Sequence, residues 1–395
     1  MKLENSYDVV IVGAGPGGAI TAKDCAKAGL SVLLLEKRPE IGSPKRCAEG
    51  LGLDALKRMG YTGKERFVTQ RIMNGIIFAP NGKEINIPGG EGGYVLERKV
   101  FDKFLAYDAA KAGAKVVTNA EAVDLIKKNG TISGVVLDYG GERLSITSKV
   151  VVASDGIESK ISKIAGLSTL STLKNLASGF QYEMANIDIK DPTKLYFYIG
   201  ASIAPGGYIW IFPKGDHFAN VGIGTISKND GKTAKYYLDK WIDSMPSVKK
   251  GSIIEENAGG IPLGNFLKKM TADNFIAVGD AAHQVNPIHG GGLAEATFAG
   301  QLAAKVIVKA IKEGDTSERN LEEYNKIWWA QRGKTLAKLE QFMDVFYHMD
   351  NDDINKVMDS LDSGGISKIV EGDLLFSIKV FMKNPKLASL VTKLI

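Results

Sequence analysis

The sequence YDVVIVGAGPGG, residues 7–18, decides the fold of this chain. Tyr7–Val12 is short, apolar and rich in β-branched residues, which predicts a buried strand. A helix is predicted from Pro16 to Ala28, and a second buried strand over Ser31–Lys37. A strand, a crossover helix and a second strand place the two strands parallel in a sheet that is covered on both faces.

The loop after the first strand is typical of a site for a dinucleotide phosphate. It consists of Gly13, Gly15, Pro16, Gly17 and Gly18, with Ala14 between the first two glycines. In this G-x-G-x-x-G, Gly13 permits a tight turn, Gly15 admits a pyrophosphate and Gly18 lets the helix approach the strand. Glu36, at the end of the second strand, is placed to accept hydrogen bonds from both hydroxyls of an adenosine ribose.

Composition excludes several classes of protein. The 395 residues carry 50 Lys+Arg and 45 Asp+Glu, a net charge of +5, and only two cysteines, Cys25 and Cys47. Disorder and a disulfide framework are excluded, and the cysteines fit a reducing interior. The basic residues are scattered, which argues against nucleic acid and leaves an anionic membrane surface as a partner. No apolar run is long enough to span a bilayer. The four histidines are widely spaced, so no metal site is predicted.

The pattern changes along the chain, which predicts an α/β fold with α+β inserts. The Rossmann-like pattern continues in a helix over Arg98–Ala112, a strand over Ala114–Thr118 and a late helix over Gly292–Lys312. Short alternating runs near Asn74–Ile87 and Leu176–Ile226 predict an antiparallel sheet. The predicted units are a discontinuous dinucleotide-binding domain (1–73, 92–165 and 265–315), a substrate domain (74–91 and 166–264) and a helical C-terminal region (316–395).

Two distant segments indicate that the dinucleotide is FAD. Val278–His283 (VGDAAH), with Pro287 and Gly290–Leu293 (GGGL), resembles the second FAD fingerprint of the p-hydroxybenzoate-hydroxylase type of flavoprotein. Asp155-Gly156 resembles the third, although a capping or turn role explains an Asp-Gly equally well.

The resemblance implies a set of cofactor contacts. Asp280 would bind a ribityl hydroxyl, and the backbone of Gly292 and Leu293 would face the pyrimidine edge of the flavin. The other implied contacts are Lys37, Arg98 near the pyrophosphate, Ala122 near the adenine, and Cys47, Ala48 and Gly50 beside the isoalloxazine.

The segment Pro205–Pro213 (PGGYIWIFP) points to the substrate. Its pattern P-x-x-Y-x-W-x-F-P resembles the geranylgeranyl reductase family. On a strand, alternate residues share one face. We therefore expect Tyr208 and Trp210 to line an apolar cavity for a long hydrocarbon, whereas Phe212 is expected in the core.

The loop Arg46–Gly50 (RCAEG) contains Cys47. Archaeal members of the geranylgeranyl reductase family carry a cysteine in this segment, and Cys47 matches it by resemblance. Cys47, Tyr208 or water could deliver a proton, and Arg46 could lower the pKa of Cys47. Cys25 is expected in the core. His289 stands where a small residue is expected, and is either an additional flavin-edge donor or a turn residue.

The resemblance implies an FAD-dependent reductase that saturates geranylgeranyl chains of archaeal-type ether-lipid precursors. The alternative is an aromatic monooxygenase of the same fold. A halogenase is a third possibility, but it would carry the motif W-x-W-x-I-P, whereas this chain has YIWIFP. The last alternative is a flavin-binding scaffold protein without enzymatic activity.

The expected partners follow from the same pattern. The chain has no second G-x-G-x-x-G, so NAD(P)H or an electron-carrier protein such as ferredoxin would be a transient donor. The expected location is cytoplasmic and peripheral on the membrane surface, where the stretches 373–383 and 387–395 combine apolar residues with lysine.

Overall fold

The computed structural model describes residues 3–169, 175–226, 231–370, 373–383 and 386–388. Its strands form two eight-stranded sheets. The strands are β1 (Ser6–Val12), β2 (Val32–Leu35), β3 (Gly50–Gly52), β4 (Val68–Phe78), β5 (Glu84–Leu96), β6 (Lys115–Val117), β7 (Ala120–Lys128), β8 (Thr131–Tyr139), β9 (Glu142–Ala153), β10 (Leu176–Ala185), β11 (Lys194–Ile199), β12 (Tyr208–Pro213), β13 (Phe218–Thr225), β14 (Ser252–Pro262), β15 (Thr271–Ala272) and β16 (Phe275–Ala277).

Helices cover the sheets and make up the C-terminal part. They are α1 (Pro16–Lys27), α2 (Leu53–Arg58), α3 (Arg98–Lys111), α4 (Lys160–Ile164), α5 (Ala234–Ser244), α6 (Pro246–Lys249), α7 (Leu293–Glu313), α8 (Glu318–Trp328), α9 (Lys334–His348), α10 (Asn351–Asp359), α11 (Ser363–Val370) and α12 (Leu374–Phe381). Within the described ranges, no helix is both long enough and apolar enough to cross a membrane.

The first sheet confirms the predicted parallel arrangement. Its main order is β15-β16-β9-β1-β2-β6, and β8 pairs with β9 and β7. In the parallel pairs, Val9 lies opposite Val32 on one side and Val150 on the other. All three side chains are buried, because α1 packs on β1 and β2, and α3 and α7 pack against α1. The parallel strands bring their carboxyl ends, and the loops that follow them, to one edge.

The second sheet has the order β14-β10-β13-β12-β11-β4-β5-β3. All of its neighbouring strands are antiparallel except one pair. In that pair β11 runs parallel to β4, with Tyr196 opposite Ile76. The strands predicted near residues 74–87 are longer than expected, since β4 begins at Val68 and β5 ends at Leu96. The division into domains stays a prediction. Residues 50–52, which are predicted to belong to the dinucleotide-binding domain, pair with β5 of this second sheet.

The C-terminal helices form a separate apolar cluster against the outer end of β4 and β5. Phe342, Val345 and Phe381 belong to this cluster together with Ile85 of β5 and Ala79, which follows β4. The helical region is therefore attached to the second sheet through side chains that the sequence pattern alone could not pair.

Candidate active site

A cavity of about 1030 Å³ lies between the two sheets and the C-terminal helices. At one end it is lined by the glycine loop after β1. Its middle is lined by the loop Pro44–Gly52 and by β12, and its far end by α9, α10 and α11. A single cavity thus joins the predicted dinucleotide site to the predicted aromatic wall.

The glycine loop has open space where a pyrophosphate would need it. A Cβ atom at Gly15 would meet no atom within 4 Å, whereas one at Gly13 would lie 2.2 Å from the Ser154 carbonyl oxygen. A Cβ at Gly18 would lie 2.0 Å from the oxygen of Gly13. Gly13 and Gly18 therefore serve close packing, and Gly15 leaves a cradle in front of α1, which begins at Pro16. The backbone N–H groups at this helix start suit an anion.

The Glu36 carboxylate is held at the carboxyl end of β2 and lines the same end of the cavity. Its Oε2 accepts a hydrogen bond from the backbone N–H of Ala14 (3.2 Å) and its Oε1 from that of Arg38 (3.0 Å). Ala122 also lines this end, and Lys37 forms an ion pair with Glu158. A ribose bound here would meet a carboxylate that is already oriented.

Asp280 lies in the turn after β16, close to the start of α7. A Cβ at Gly292 would be 3.1 Å from Asp280 Oδ1, so Asp280 and Gly292, both predicted to contact the flavin, are neighbours. The next residue, Leu293, is the first residue of α7. Burial raises the pKa of Asp280, and the charge of Arg98 acts in the opposite direction. Asp155 Oδ2 accepts a hydrogen bond from the N–H of Ile161 (2.9 Å), which gives Asp155 a capping role, although it also lines the cavity.

Cys47 lies in the middle of the cavity wall, on a loop that the second sheet holds in place. Its carbonyl accepts a hydrogen bond from Gln181 Nε2 (3.1 Å), and its Sγ accepts one from the N–H of Glu49 (3.2 Å). Asn220 Nδ2 donates to the carbonyl of Ala48 (3.1 Å). A Cβ at Gly50 would lie 2.9 Å from the Phe212 ring, so only glycine fits there.

The arginine beside Cys47 is Arg98. The expectation that Arg46 is the cation next to the thiol is therefore wrong. Arg46 is directed to Glu158, 3.6 Å away, and packs its methylenes near Gly259. The Arg98 guanidinium makes a two-pronged ion pair with Asp102, at 2.8 Å for each hydrogen bond. Burial lowers the pKa of Arg98, but Asp102 and the Cys47 sulfur outweigh burial and raise it. Arg98 is therefore a permanent cation next to the thiol.

Beneath the Cys47 loop lies a buried network of charges that the sequence did not reveal. The carboxylates of Glu49, Glu97 and Glu183 converge closely enough to resemble a cation site. However, the ammonium of Lys214 lies 2.9 Å from Glu49, 2.6 Å from Glu97 and 3.2 Å from Glu183. Lys45 forms ion pairs with Glu49 and Glu183. The lysines supply the positive charge that a metal would otherwise bring.

The three aromatic residues of β12 do share one face, as predicted. The ring of Trp210 lies 5.9 Å from that of Tyr208 and 6.4 Å from that of Phe212, and all three line the cavity. Trp210 Nε1 donates to Gln181 Oε1 (2.9 Å), and the Tyr208 hydroxyl donates to the carbonyl of His289 (2.6 Å). Burial raises the pKa of Tyr208, so its hydroxyl remains neutral and already engaged.

The far end of the cavity comes from the C-terminal helices, and sequence reasoning missed it. The lining side chains there are apolar, and several are methionines. They are Met343, Phe346, Met349, Ile354, Val357, Met358, Leu361, Ile366 and Ile369. The amphipathic pattern of these helices gives no sign that part of their apolar face borders a cavity rather than a closed core.

Known proteins resemble this chain along its whole length. A sequence profile of FAD-dependent oxidoreductases matches residues 8–170, and one of the geranylgeranyl reductase catalytic domain matches residues 175–261. Digeranylgeranylglycerophospholipid reductase 2 of Methanococcoides burtonii is 41% identical over 365 residues, 91% of this chain and 89% of that protein. The digeranylgeranylglycerophospholipid reductase of Methanospirillum hungatei is 40% identical over 393 residues, 98% of this chain and 96% of that protein.

A solved structure agrees. The crystal structure of a geranylgeranyl bacteriochlorophyll reductase-like protein from Thermoplasma acidophilum superposes with a TM-score of 0.91 and 36% identity, covering 99% of this chain and 100% of that one. The fold is therefore that of an FAD-dependent oxidoreductase. Within that class, the chain belongs to the digeranylgeranylglycerophospholipid reductase family.

Proposed function

We propose that this enzyme saturates the double bonds of geranylgeranyl chains in archaeal ether-lipid precursors. The observation that carries the proposal is the single cavity that runs from the Gly15 cradle past Trp210 to apolar helices. A polar cofactor fits the first part and a long hydrocarbon fits the last. Burying the apolar surface of such a chain is favourable at roughly 25 cal/mol per Å².

FAD, when bound, supplies a hydride to one carbon of the alkene. The residues of this chain then have three tasks. Gly15 and Glu36 hold the adenosine and pyrophosphate part of FAD, and Tyr208 and Trp210 hold the prenyl chain of the substrate. Cys47 is proposed to deliver the proton that the second carbon needs.

The surroundings of Cys47 support its role as proton donor better than those of Tyr208. The Tyr208 proton is directed to the His289 carbonyl, and burial opposes its loss. Proton transfer from Cys47 would leave a thiolate beside the Arg98 cation, which is stabilising. One S–H bond breaks, one C–H bond forms, and the thiolate regains a proton from water.

An anaerobic experiment separates this reaction from that of the alternative, an aromatic monooxygenase. The protein with chemically reduced FAD is mixed with geranylgeranyl lipid under nitrogen, and flavin absorbance is followed by stopped flow. We expect flavin reoxidation and a mass gain of two hydrogens for each bond. Flavin that stays reduced until oxygen is admitted, with a product that gains oxygen, would establish the monooxygenase instead.

We also propose that the enzyme docks on a membrane surface through α12. Leu375 (81% exposed), Lys379 and Met382 (46% exposed) recur at i, i+4 and i+7, so they share one face. The opposite face, with Val380 and Phe381, is buried. A substrate with long chains stays near the bilayer, because exposing each CH₂ costs about 0.8 kcal/mol. The other candidate stretch, 387–395, lies outside the described residues after position 388.

Flotation with anionic liposomes at low salt tests this surface. We expect the wild type to float and a Leu375→Glu/Met382→Glu variant to remain at the bottom of the gradient. Ile254→Glu is the matched control, since Ile254 is 60% exposed on the edge strand β14. Equal flotation of wild type and double variant would remove α12 as the docking surface.

The electron donor is proposed to be transient, either NAD(P)H or a carrier protein such as ferredoxin. Support comes from the sequence, in which the one G-x-G-x-x-G belongs to the FAD site. Anaerobic flavin reduction measured separately with NADPH, NADH and reduced ferredoxin identifies the donor by its rate. Reduction by none of them at micromolar concentration would contradict this proposal.

A further inference from the structure

His289 lies in a tight loop between β16 and α7, and hydrogen bonds hold the backbone of this loop. The N–H of Gly290 donates to the carbonyl of Asn286 (2.9 Å), and the N–H of Asn286 donates to the carbonyl of Gly291 (3.1 Å). Tyr208 donates to the carbonyl of His289 itself. The loop is thus closed on itself and attached to the aromatic strand, so the imidazole has a defined place in the cavity wall.

The hydrogen bonding of the ring determines which nitrogen carries the proton. The backbone N–H of Gly291 donates to His289 Nδ1 (3.1 Å), so Nδ1 is the acceptor. Burial lowers the pKa of His289 to about 4, and the ring is therefore neutral at ordinary pH. A neutral imidazole with an accepting Nδ1 carries its hydrogen on Nε2.

The Nε2–H group has no hydrogen-bond partner among the described residues. The side chain is exposed rather than packed in the core, and it lines the cavity. A hydrocarbon offers no hydrogen-bond acceptor, so a prenyl chain would leave this N–H unsatisfied. The flavin pyrimidine ring does offer acceptors, the oxygens and nitrogens that carry negative charge when FAD is reduced.

We propose that His289 Nε2–H donates a hydrogen bond to the pyrimidine ring of bound FAD and thereby stabilises its reduced form. The donor adds to the positive end of α7, which begins at Leu293, four residues along the chain. His289 therefore tunes the midpoint potential of the cofactor through its ring. Its backbone carbonyl also accepts the hydrogen bond that holds Tyr208 in the cavity wall. The inference needs bound FAD and is independent of which substrate is reduced.

The midpoint potential of bound FAD tests the proposal without any turnover. His289→Ala should lower the equilibrium constant for two-electron reduction about tenfold, a shift of about 30 mV to lower potential. His289→Gln retains a side-chain N–H donor and should recover most of the shift. His217→Ala, at an exposed histidine, is the matched control and should leave the potential unchanged. An unchanged potential in His289→Ala with FAD fully bound would overturn the proposal, as would a His289→Gln value equal to that of His289→Ala.

A second measurement uses the unsubstituted holoenzyme, in case His289→Ala loses FAD. The chain has only four histidines, so ¹⁵N-histidine spectra can be assigned by single substitutions. We expect His289 to be the Nε2–H tautomer and its Nε2 signal to move when FAD is reduced. The Nδ1–H tautomer, or a signal indifferent to reduction, would reject the hydrogen bond.

Discussion

Replacing Lys214 with methionine should destabilise the folded protein by about 3–5 kcal/mol near neutral pH, the usual cost of breaking a buried ion pair. The Lys214 side chain is 1% exposed, and its ammonium lies within 3.2 Å of three carboxylates, those of Glu49, Glu97 and Glu183. Methionine has a similar length and leaves no large void. The lost energy is therefore electrostatic, since only Lys45 remains to balance the buried carboxylates of Glu49 and Glu183 and the half-buried one of Glu97.

The same structure predicts how this loss depends on pH. Burial raises the pKa of Glu97, but the hydrogen bond and charge of Lys214 outweigh burial and hold it below its usual value. A depressed pKa in the folded protein contributes stability above the unfolded pKa of about 4.3. That contribution is lost as the pH falls through the folded pKa. In Lys214→Met this contribution of Glu97 is absent, so the difference from wild type should shrink as the pH falls below the unfolded pKa of about 4.3.

Urea denaturation followed by tryptophan fluorescence, with FAD at one fixed excess, measures both effects. The matched control is Lys250→Met, which removes an exposed ion pair with Asp188 and should cost less than about 1 kcal/mol. A loss below about 1 kcal/mol for Lys214→Met at pH 7 would refute the electrostatic reasoning. An equal loss at pH 7 and at about pH 3.5, which is below the unfolded pKa, would show that packing, not charge, is responsible.

Four further substitutions test the cavity. Glu36→Ala should weaken FAD binding by about 1.5–3 kcal/mol, the value of hydrogen bonds to a charged group, as measured by fluorescence titration. Trp210→Ala should raise KM for C20 substrates more than for C10 substrates, because apolar contact along the chain is lost; an equal effect on both would make Trp210 a core residue. Met358→Trp should fill the far end of the cavity and turn the preference toward shorter chains in competition assays. Cys47→Ala should slow anaerobic flavin reoxidation by alkene about 10²- to 10⁴-fold with FAD still bound, and an unchanged rate would leave water as the proton source.

The sequence was informative where neighbouring residues constrain one another. The short, apolar and β-branched stretch Tyr7–Val12, the glycine loop and the helix that follows it predicted parallel strands, and the structure confirms that pairing. The β12 pattern predicted which aromatic residues share a face, because alternate side chains of a strand must do so. These features depend on local backbone geometry, which a short stretch of residues determines.

Tertiary structure decided what depends on residues far apart in the chain. Arg98, and not the adjacent Arg46, stands beside Cys47, because α3 and β9 bring Arg98 to the cavity and Glu158 to Arg46. Lys214 balances carboxylates that come from three separate segments. The far wall of the cavity comes from helices whose apolar faces look like ordinary core. Such contacts join segments that share no periodicity or spacing, so only the packing of the whole chain could reveal them.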